Sequence, residues 1–448
     1  MDVDTVTVSF ITSHRADGLT MNQGNTLPAD ASRRAVLVGI GRGALAGAAV
    51  AIGSDAAAQP SPAPLPRVTE AVTPFRVVTS SAAISDARRR LQATRWPERQ
   101  TADDWPQGVP LATIQKLVAY WRTTYDWRRL ERRLNAYPQF RTEIDGLGIH
   151  FLHVRSPHEQ ARPIILTHGW PGSIIEFLNV IGPLTNPTRH GGRREDAFHV
   201  VVPSLPGFGF SDKPAESGWG LPRIARAWSM LMRRLGYTDY LAQGGDWGAG
   251  VTTWMAKQHV EGLAAIHLNL PILFPPPLEG EPNPAEKATI AQLVAFNDKG
   301  TGYSKIQSTR PQTLGYALAD SPAGQAAWIY EKLGEWSDSN YEPEREISRD
   351  EMLDNISLYW LTNTAASSAR LYYETYADLS MQRLDLPVAV SIFPGEVFQP
   401  PRLWGERVYS RLFYWNEAAR GGHFAAFEQP AVFVEELRAA FRALPRGG

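Results

Sequence analysis

The chain has 448 residues, of which 43% are hydrophobic, and its formal net charge is −1. A chain of this length and composition is typical of a globular protein with a large core and more than one structural unit. The even charge balance excludes a strongly basic nucleic-acid-binding protein. The absence of cysteine excludes disulfides, thiolate nucleophiles and zinc–thiolate sites.

The N-terminal region, residues 1–58, has the pattern of an export signal. The pair Arg33-Arg34 precedes a weakly apolar run rich in glycine and alanine, and residues 56–58 offer a small-residue cleavage site. This pattern resembles a bacterial twin-arginine signal, and Met21 stands at a natural distance before the arginines to be the true start. We expect export to the periplasm; an uncleaved membrane anchor and a cytoplasmic location are the alternatives. Residues 59–74, rich in proline, alanine and serine, are expected to form a linker.

Residues 75–160 are predicted to form a helical arm followed by two strands. Apolar residues recur at helical spacing over 84–94 and 111–136, and the strands are predicted over 140–144 and 148–154. Arginine and tryptophan are interspersed along the helices. Such side chains can stack and pair, which would hold the arm against a larger body.

Residues 161–270 have the pattern of the first half of a parallel α/β core. Strands of the buried type are predicted over 163–167, 198–203 and 264–270. Glycine-rich turns or helices separate these strands, as expected of a sheet covered by helices.

The most informative stretch of this half is a nucleophile elbow around Asp246. A short apolar strand from Tyr240 runs into two glycines, Asp246 stands at the corner, and Gly248 leads into a helix predicted over 251–258. In such an elbow a strained turn exposes a reactive side chain, and the glycines let the helix pack closely. The usual corner residue is serine; an aspartate can instead displace a leaving group from an sp3 carbon and form an alkyl-enzyme ester. The alternative is an aspartate that only caps the following helix.

A helical insertion and the second half of the core follow. Residues 271–384 form a helical block between two core strands, so we expect a lid over the carboxyl ends of the strands. Residues 385–448 return to the strand pattern, with Glu396 and His423 each placed just after a strand. Together with Asp246, these residues follow the chain order of an α/β-hydrolase triad. The fold class is therefore predicted as α/β: an α/β-hydrolase fold with a mostly parallel central sheet, a helical lid insertion and an N-terminal helical arm.

Three motifs are specific in combination: His168-Gly169-Trp170-Pro171, Gly244-Gly245-Asp246-Trp247-Gly248 and Gly421-Gly422-His423-Phe424. With the tryptophan and arginine series of residues 96–140, they make the chain resemble the epoxide hydrolases of the microsomal and juvenile-hormone type from about Phe75 to its C-terminus. The resemblance implies that the N-terminal segment packs across the catalytic domain and the lid. It also implies that no metal or organic cofactor takes part, and that the reactants are a small epoxide and water.

The resemblance further implies a two-step reaction. Asp246 would attack a ring carbon of the epoxide and form a covalent ester. His423, oriented by Glu396, would then activate the water that hydrolyses this ester to a vicinal diol. The backbone amides of Trp170 and Trp247 would form the oxyanion hole.

Two lid phenols are assigned through the resemblance alone. Tyr303 and Tyr372 match the family's lid tyrosines, which bind the epoxide oxygen and stabilise its negative charge as the C–O bond breaks. Tyr373 competes with Tyr372 for the second position, and Tyr359 stays open as a further candidate.

Two other functions stay open. A haloalkane dehalogenase also uses an elbow aspartate followed by tryptophan, but it needs halide-binding N–H donors where this chain has the Tyr303 segment. A catalytically silent α/β-hydrolase used for binding is the second alternative, and the intact nucleophile, acid and base argue against it. For the mature chain we expect no stable membrane span and no nucleic-acid partner, and both a monomer and a homodimer are open.

Overall fold

A mixed sheet of nine strands forms the centre of the computed structural model, which describes residues 69–273, 281–375 and 383–445. In chain order the strands are β1 (Thr73–Phe75), β2 (Gln139–Ile144), β3 (Leu147–Val154), β4 (Arg162–Thr167), β5 (Phe198–Pro203), β6 (Tyr240–Gly244), β7 (Leu263–Leu268), β8 (Val388–Ile392) and β9 (Leu412–Glu417). Across the sheet their order is β1-β2-β3-β5-β4-β6-β7-β8-β9. The first three strands run antiparallel to their neighbours, and the others run parallel to one another.

The central parallel strands are buried on both faces, as their composition predicts. Every residue of β6 and of β8 is buried, and in β7 only Ala264 is partly accessible. Near-continuous apolar runs of this kind are typical of strands that helices cover on both sides.

Helices cover this sheet and build the layer beside it. In chain order the α-helices of the described ranges are α1 (Ser81–Gln92), α2 (Leu111–Thr123), α3 (Arg129–Asn135), α4 (Leu178–Thr185), α5 (Leu221–Arg234), α6 (Trp247–Lys257), α7 (Pro284–Ala295), α8 (Gly302–Thr309), α9 (Pro311–Asp320), α10 (Pro322–Trp336), α11 (Arg349–Thr362), α12 (Ala365–Thr375), α13 (Arg402–Val408), α14 (Ala425–Glu428) and α15 (Pro430–Arg442). Helix α4 packs with α15, and α5 packs with α6, against the sheet. The helices α7 to α12 lie between β7 and β8 in the chain, where the lid was predicted. None of the helices in these ranges is long and apolar enough to cross a bilayer.

The N-terminal helices pack on the lid. Helices α1 and α2 contact α10, and α3 contacts α11. Two buried bonds connect the arm to α11: Tyr125 donates to Asp354 at 2.8 Å, and the Trp121 indole donates to Ser357 at 2.9 Å. The aromatic side chains of the arm are therefore structural, since they hold the lid helix that Asp354 and Ser357 belong to.

The strands β1, β2 and β3 extend the core sheet, so the N-terminal segment contributes strands to the core as well as a helical arm. Thr73 and Pro74, which the sequence assigned to the linker, pair with β2. The predicted export signal, residues 1–58, and the rest of the linker up to residue 68 lie outside the described residues.

Several predicted helices differ from the observed ones. The helix predicted over 111–136 is two helices, α2 and α3, because the Asp126 side chain accepts the Arg128 backbone N–H at 2.9 Å and forms a turn between them. The helix after the elbow begins at Trp247, directly after the corner residue. The chain after the turn of β4 forms a 3-10 turn, Ile174–Phe177, before α4.

Candidate active site

Asp246 stands at the sharp turn between β6 and α6. Its backbone has a φ of 49° and a ψ of −131°, a strained conformation that presents the side chain at the end of the sheet. A Cβ on Gly248 would collide with the carbonyl oxygen of Thr167, and a Cβ on Gly244 with that of Gly248, so both positions need glycine. The Asp246 side chain makes no capping hydrogen bond to α6, so capping does not explain this residue.

His423 lies between two carboxylates. Its Nδ1 is 2.7 Å from Glu396 Oε1, and its Nε2 is 3.3 Å from Asp246 Oδ2. Burial alone lowers the pKa of His423, but the charges and hydrogen bonds of Glu396 and Asp246 outweigh burial and hold this pKa well above its usual value. The structure thus brings the three predicted triad residues together. Asp246 is the most exposed of them, with 18% of its side chain accessible.

The loop that carries His423 is fixed by Glu428, a residue that sequence reasoning missed. Its carboxylate accepts backbone N–H groups from Gly422 at 3.0 Å, from Phe424 at 2.8 Å and from Asp338 of the lid at 2.8 Å. Burial raises the pKa of Glu428 to about 7. A signal was available in the sequence, because this acid follows an apolar run directly after the histidine.

The turn after β4 places a backbone amide on the nucleophile. Trp170 N donates to Asp246 Oδ1 at 2.7 Å, and the peptide between Trp170 and Pro171 is cis. Trp247 is the first residue of α6, so its amide is among those without a partner inside the helix. Of the two predicted oxyanion donors, the Trp170 amide therefore binds Asp246 in this structure, and the Trp247 amide belongs to the residue directly after Asp246.

Lid helix α11 holds this turn in place. Asn355 Nδ2 donates to the carbonyl oxygen of Pro171 at 2.8 Å, and the Tyr359 hydroxyl donates to that of Gly172 at 2.7 Å. The same Asn355 accepts the hydroxyl of Ser173 at 2.7 Å. Tyr359, left open by the sequence, thus has its proton engaged with the backbone, which separates it from the two lid phenols.

Tyr303 and Tyr372 meet in a cluster of aromatic rings beside the nucleophile. The Tyr303 ring stacks on Trp170 at 5.2 Å between centroids, and the Tyr372 ring meets Trp247 edge to face at 4.7 Å. The two tyrosine rings are 5.7 Å apart. The Tyr372 hydroxyl is buried beside Tyr303 and Trp247, whereas Tyr373 is 57% exposed. Packing thus distinguishes Tyr372 from its neighbour.

A small cavity lies against the triad on its core side. Its volume is about 20 Å³, which is enough for about one water molecule. The residues that line it belong to the core, among them Asp246, His423 and Glu176. Burial raises the pKa of Glu176 to about 8, so this carboxyl is mostly neutral at pH 7. Sequence reasoning missed Glu176, although it is the single acid in the apolar run 174–178.

Fold and site together define the class: an α/β-hydrolase whose elbow residue is an aspartate. Residues 72–177 match the family model described as epoxide hydrolase N terminus, and residues 162–332 match that of the alpha/beta hydrolase fold. A Stigmatella aurantiaca protein named as an epoxide hydrolase is 63% identical over 375 residues, which cover 83% of this chain and 85% of that protein. Epoxide hydrolase 1 of Sus scrofa is 36% identical, with 82% of this chain and 88% of that protein covered. The solved structure of Aspergillus niger epoxide hydrolase matches with a TM-score of 0.76 at 33% identity, over 84% of this chain and 98% of that chain.

The chain belongs to the epoxide hydrolase family. The resemblance drawn from the three sequence motifs is therefore confirmed, and so is the predicted α/β-hydrolase fold. The haloalkane dehalogenase alternative and the silent binding protein are set aside in favour of a hydrolase that acts on epoxides.

Proposed function

We propose that this epoxide hydrolase opens its substrate through a covalent ester on Asp246. The observation that carries the proposal is the contact of this carboxylate with a histidine whose other ring nitrogen binds Glu396 at 2.7 Å. Because Trp170 N already binds Asp246 Oδ1, Oδ2 is the oxygen left to attack a ring carbon. Tyr303 and Tyr372 would bind the epoxide oxygen and supply hydrogen bonds as negative charge develops on it.

Formation of the ester would itself prepare the second step. The negative charge of Asp246 helps to raise the pKa of His423 in the free enzyme. An ester at Asp246 is neutral, so the pKa of His423 falls when the ester forms. The imidazolium then releases its proton to solvent, and the neutral imidazole takes a proton from water, while Glu396 stabilises the imidazolium that results.

The water of this second step would come from the cavity that His423, Asp246 and Glu176 line. A neutral Glu176 carboxyl can hydrogen-bond a water without competing with His423 for its proton, and so can orient it. As the water adds to the ester carbonyl, the oxyanion forms on Oδ1. Trp170 N lies 2.7 Å from that atom, and the Trp247 amide would be the second donor.

A single turnover in water labelled with oxygen-18 tests the ester route. With enzyme in excess over styrene oxide, the new oxygen of the diol comes from the Asp246 carboxylate, and the label enters the protein. Digestion and mass spectrometry should therefore find one labelled oxygen in the peptide that contains Asp246, with unlabelled diol. A labelled diol and an unlabelled peptide would show direct attack by water and contradict the proposal.

We also propose that the protein is exported through the twin-arginine pathway. The support is the Arg33-Arg34 pair, the weak apolar run after it and the small residues 56–58. N-terminal sequencing of the protein from periplasm should give a mature start near residue 59. An intact N-terminus in the periplasmic fraction would contradict cleavage. Absence of the protein from that fraction would contradict export.

A further inference from the structure

A buried lysine lies beside one of the two lid phenols. Lys332 of α10 is 4% exposed, and its ammonium is 4.8 Å from the ring centroid of Tyr303 and 5.4 Å from that of Trp336. Lysine is rarely buried to this degree, and a cation over an aromatic face is attracted by the ring's electrons. The positive charge of Lys332 thus lies next to Tyr303, one of the two phenols proposed to bind the epoxide oxygen.

Two carboxylates make the burial of this cation possible. The Lys332 ammonium is 2.7 Å from Glu335 Oε2 and 3.6 Å from Glu331 Oε1. The side chains of Glu335 and Glu331 are 26% and 29% exposed, against 5% for that of Lys332. The carboxylates therefore stand closer to solvent, where their field is screened more strongly than that of the lysine.

Tyr372 has a different electrostatic environment. Burial raises the pKa of Tyr372 well above its usual value, and the neighbouring Tyr303 and Asp246 raise it further. None of the described lysine or arginine side chains lies over the Tyr372 ring. The two phenols thus differ: one ring has a cation on it, and the other is surrounded by apolar rings and negative charge.

We propose that Lys332 makes Tyr303 the proton donor of ring opening, an inference that rests on the proposed function. As Asp246 Oδ2 bonds to a ring carbon and the C–O bond breaks, the epoxide oxygen takes the proton of Tyr303. The phenolate charge spreads into the ring, where the Lys332 ammonium stabilises it. Tyr372 donates a hydrogen bond and keeps its proton. In the second step the water oxygen bonds to the ester carbonyl carbon, the bond from that carbon to the diol oxygen breaks, and this oxygen takes the second proton of the water. The proton that His423 removed from the water returns to Tyr303, which restores the enzyme.

On the elements packed beside it, the Tyr303 ring faces Lys332 of α10, which has its two glutamates, and Tyr372 of α12. Asp246 of the elbow acts on Tyr372. Asp246 is common to every variant compared, so its charge is the same in all of them. A change confined to α10 therefore reports on the field of Lys332 at Tyr303.

The experiment measures ester formation directly. All variants carry His423→Gln, which removes the titration of the imidazole. Enzyme is mixed with styrene oxide at pH values between 6 and 10, the reaction is quenched, and the ester is quantified by intact-mass spectrometry. The rate should fall at high pH as Tyr303 loses its proton. We call this fall the alkaline limb of the pH–rate profile. Lys332→Met should move the alkaline limb to higher pH by about one unit and slow ester formation at pH 7 about tenfold.

The matched variant Glu335→Gln decides between electrostatics and packing. It removes a negative charge beside the lysine, so it should move the alkaline limb down and leave the rate at pH 7 equal or higher. Lys332→Arg, which keeps the charge, should stay close to the parent. A role in packing alone would give no shift, or shifts of the same sign in Lys332→Met and Glu335→Gln, and would overturn the proposal.

Three further outcomes are informative. If Lys332→Met does not fold, as judged by circular dichroism, the sign of the Glu335→Gln shift alone decides. If Tyr303→Phe keeps the alkaline limb of the parent, Tyr303 is not the proton donor and the inference is wrong. A parent that forms no ester at all contradicts the proposed function instead, so the two failures are distinguishable.

Discussion

The core and the lid bring different kinds of group to the same site. In the core, the triad residues follow the parallel strands β6, β8 and β9. The His423 ring nitrogens lie 2.7 Å from Glu396 and 3.3 Å from Asp246, and these contacts fix the three side chains. In the lid, Tyr303 and Tyr372 come from helices and are packed among aromatic rings. The core supplies a nucleophile and a base, and the lid supplies acids. Ring opening should therefore depend on both regions, whereas ester hydrolysis should depend mainly on the core.

The largest effect is expected at the nucleophile. Asp246→Asn keeps the shape of the side chain and tolerates the positive φ, but it lacks the charged oxygen that attacks the epoxide. Turnover should fall about 10⁴-fold or more, with no ester detected by mass. Activity within about tenfold of the parent would mean that water attacks the epoxide without a covalent step.

The lid phenols should affect only the first step. The double variant Tyr303→Phe, Tyr372→Phe removes both donors to the epoxide oxygen, so the rate of ester formation should fall about 10³-fold. Tyr373→Phe, one residue away and exposed, is the matched control and should leave this rate unchanged. Rapid-quench measurement of the ester gives the result. An equal loss in the control would show that the effect lies in folding of α12.

Glu176 should affect only the second step. Glu176→Leu removes the polar partner of the proposed water, so hydrolysis of the ester should slow about tenfold, while ester formation stays the same. Glu176→Gln resembles the neutral carboxyl and should retain most of the rate. If the glutamine variant is as slow as the leucine variant, the carboxylate is the required form, and the neutral state implied by the raised pKa is not the active one.

The smallest effect is expected where lid and core are joined. Tyr359→Phe removes the hydrogen bond to the carbonyl of Gly172 and leaves that acceptor buried without it. The free energy of unfolding should fall by about 1–2 kcal/mol, measured by urea denaturation. Tyr373→Phe again serves as the exposed control. An unchanged stability would show that the turn does not depend on α11.

The core site could be predicted from the sequence more fully than the lid site. The triad could be predicted because parallel strands end at one edge of a sheet, and the loop that follows each strand begins there. No such rule exists for a helical lid: Tyr303 and Tyr372 were identified only through the family resemblance. Tyr372 and Tyr373 are consecutive in one helix, and only the packing of α12 shows which of them is buried.

The site residues that the sequence did not reveal are those whose neighbours in the fold are distant in the sequence. Glu176 joins the site because it lines the same cavity as the nucleophile. Lys332 does so because side chains of α10 contact Tyr303 of α8. Helix α2 ends early because the Asp126 side chain competes for the backbone, a local signal that periodicity alone did not reveal.

Intact-mass spectrometry of His423→Gln after mixing with styrene oxide tests the central claim most directly. Without its base the enzyme should still form the ester but hydrolyse it very slowly. The account predicts a stable mass increase of one epoxide per chain, located by digestion on Asp246 and absent in the His423→Gln, Asp246→Asn double variant. A variant that still turns over styrene oxide without any adduct would contradict the claim that Asp246 carries the substrate and His423 releases it.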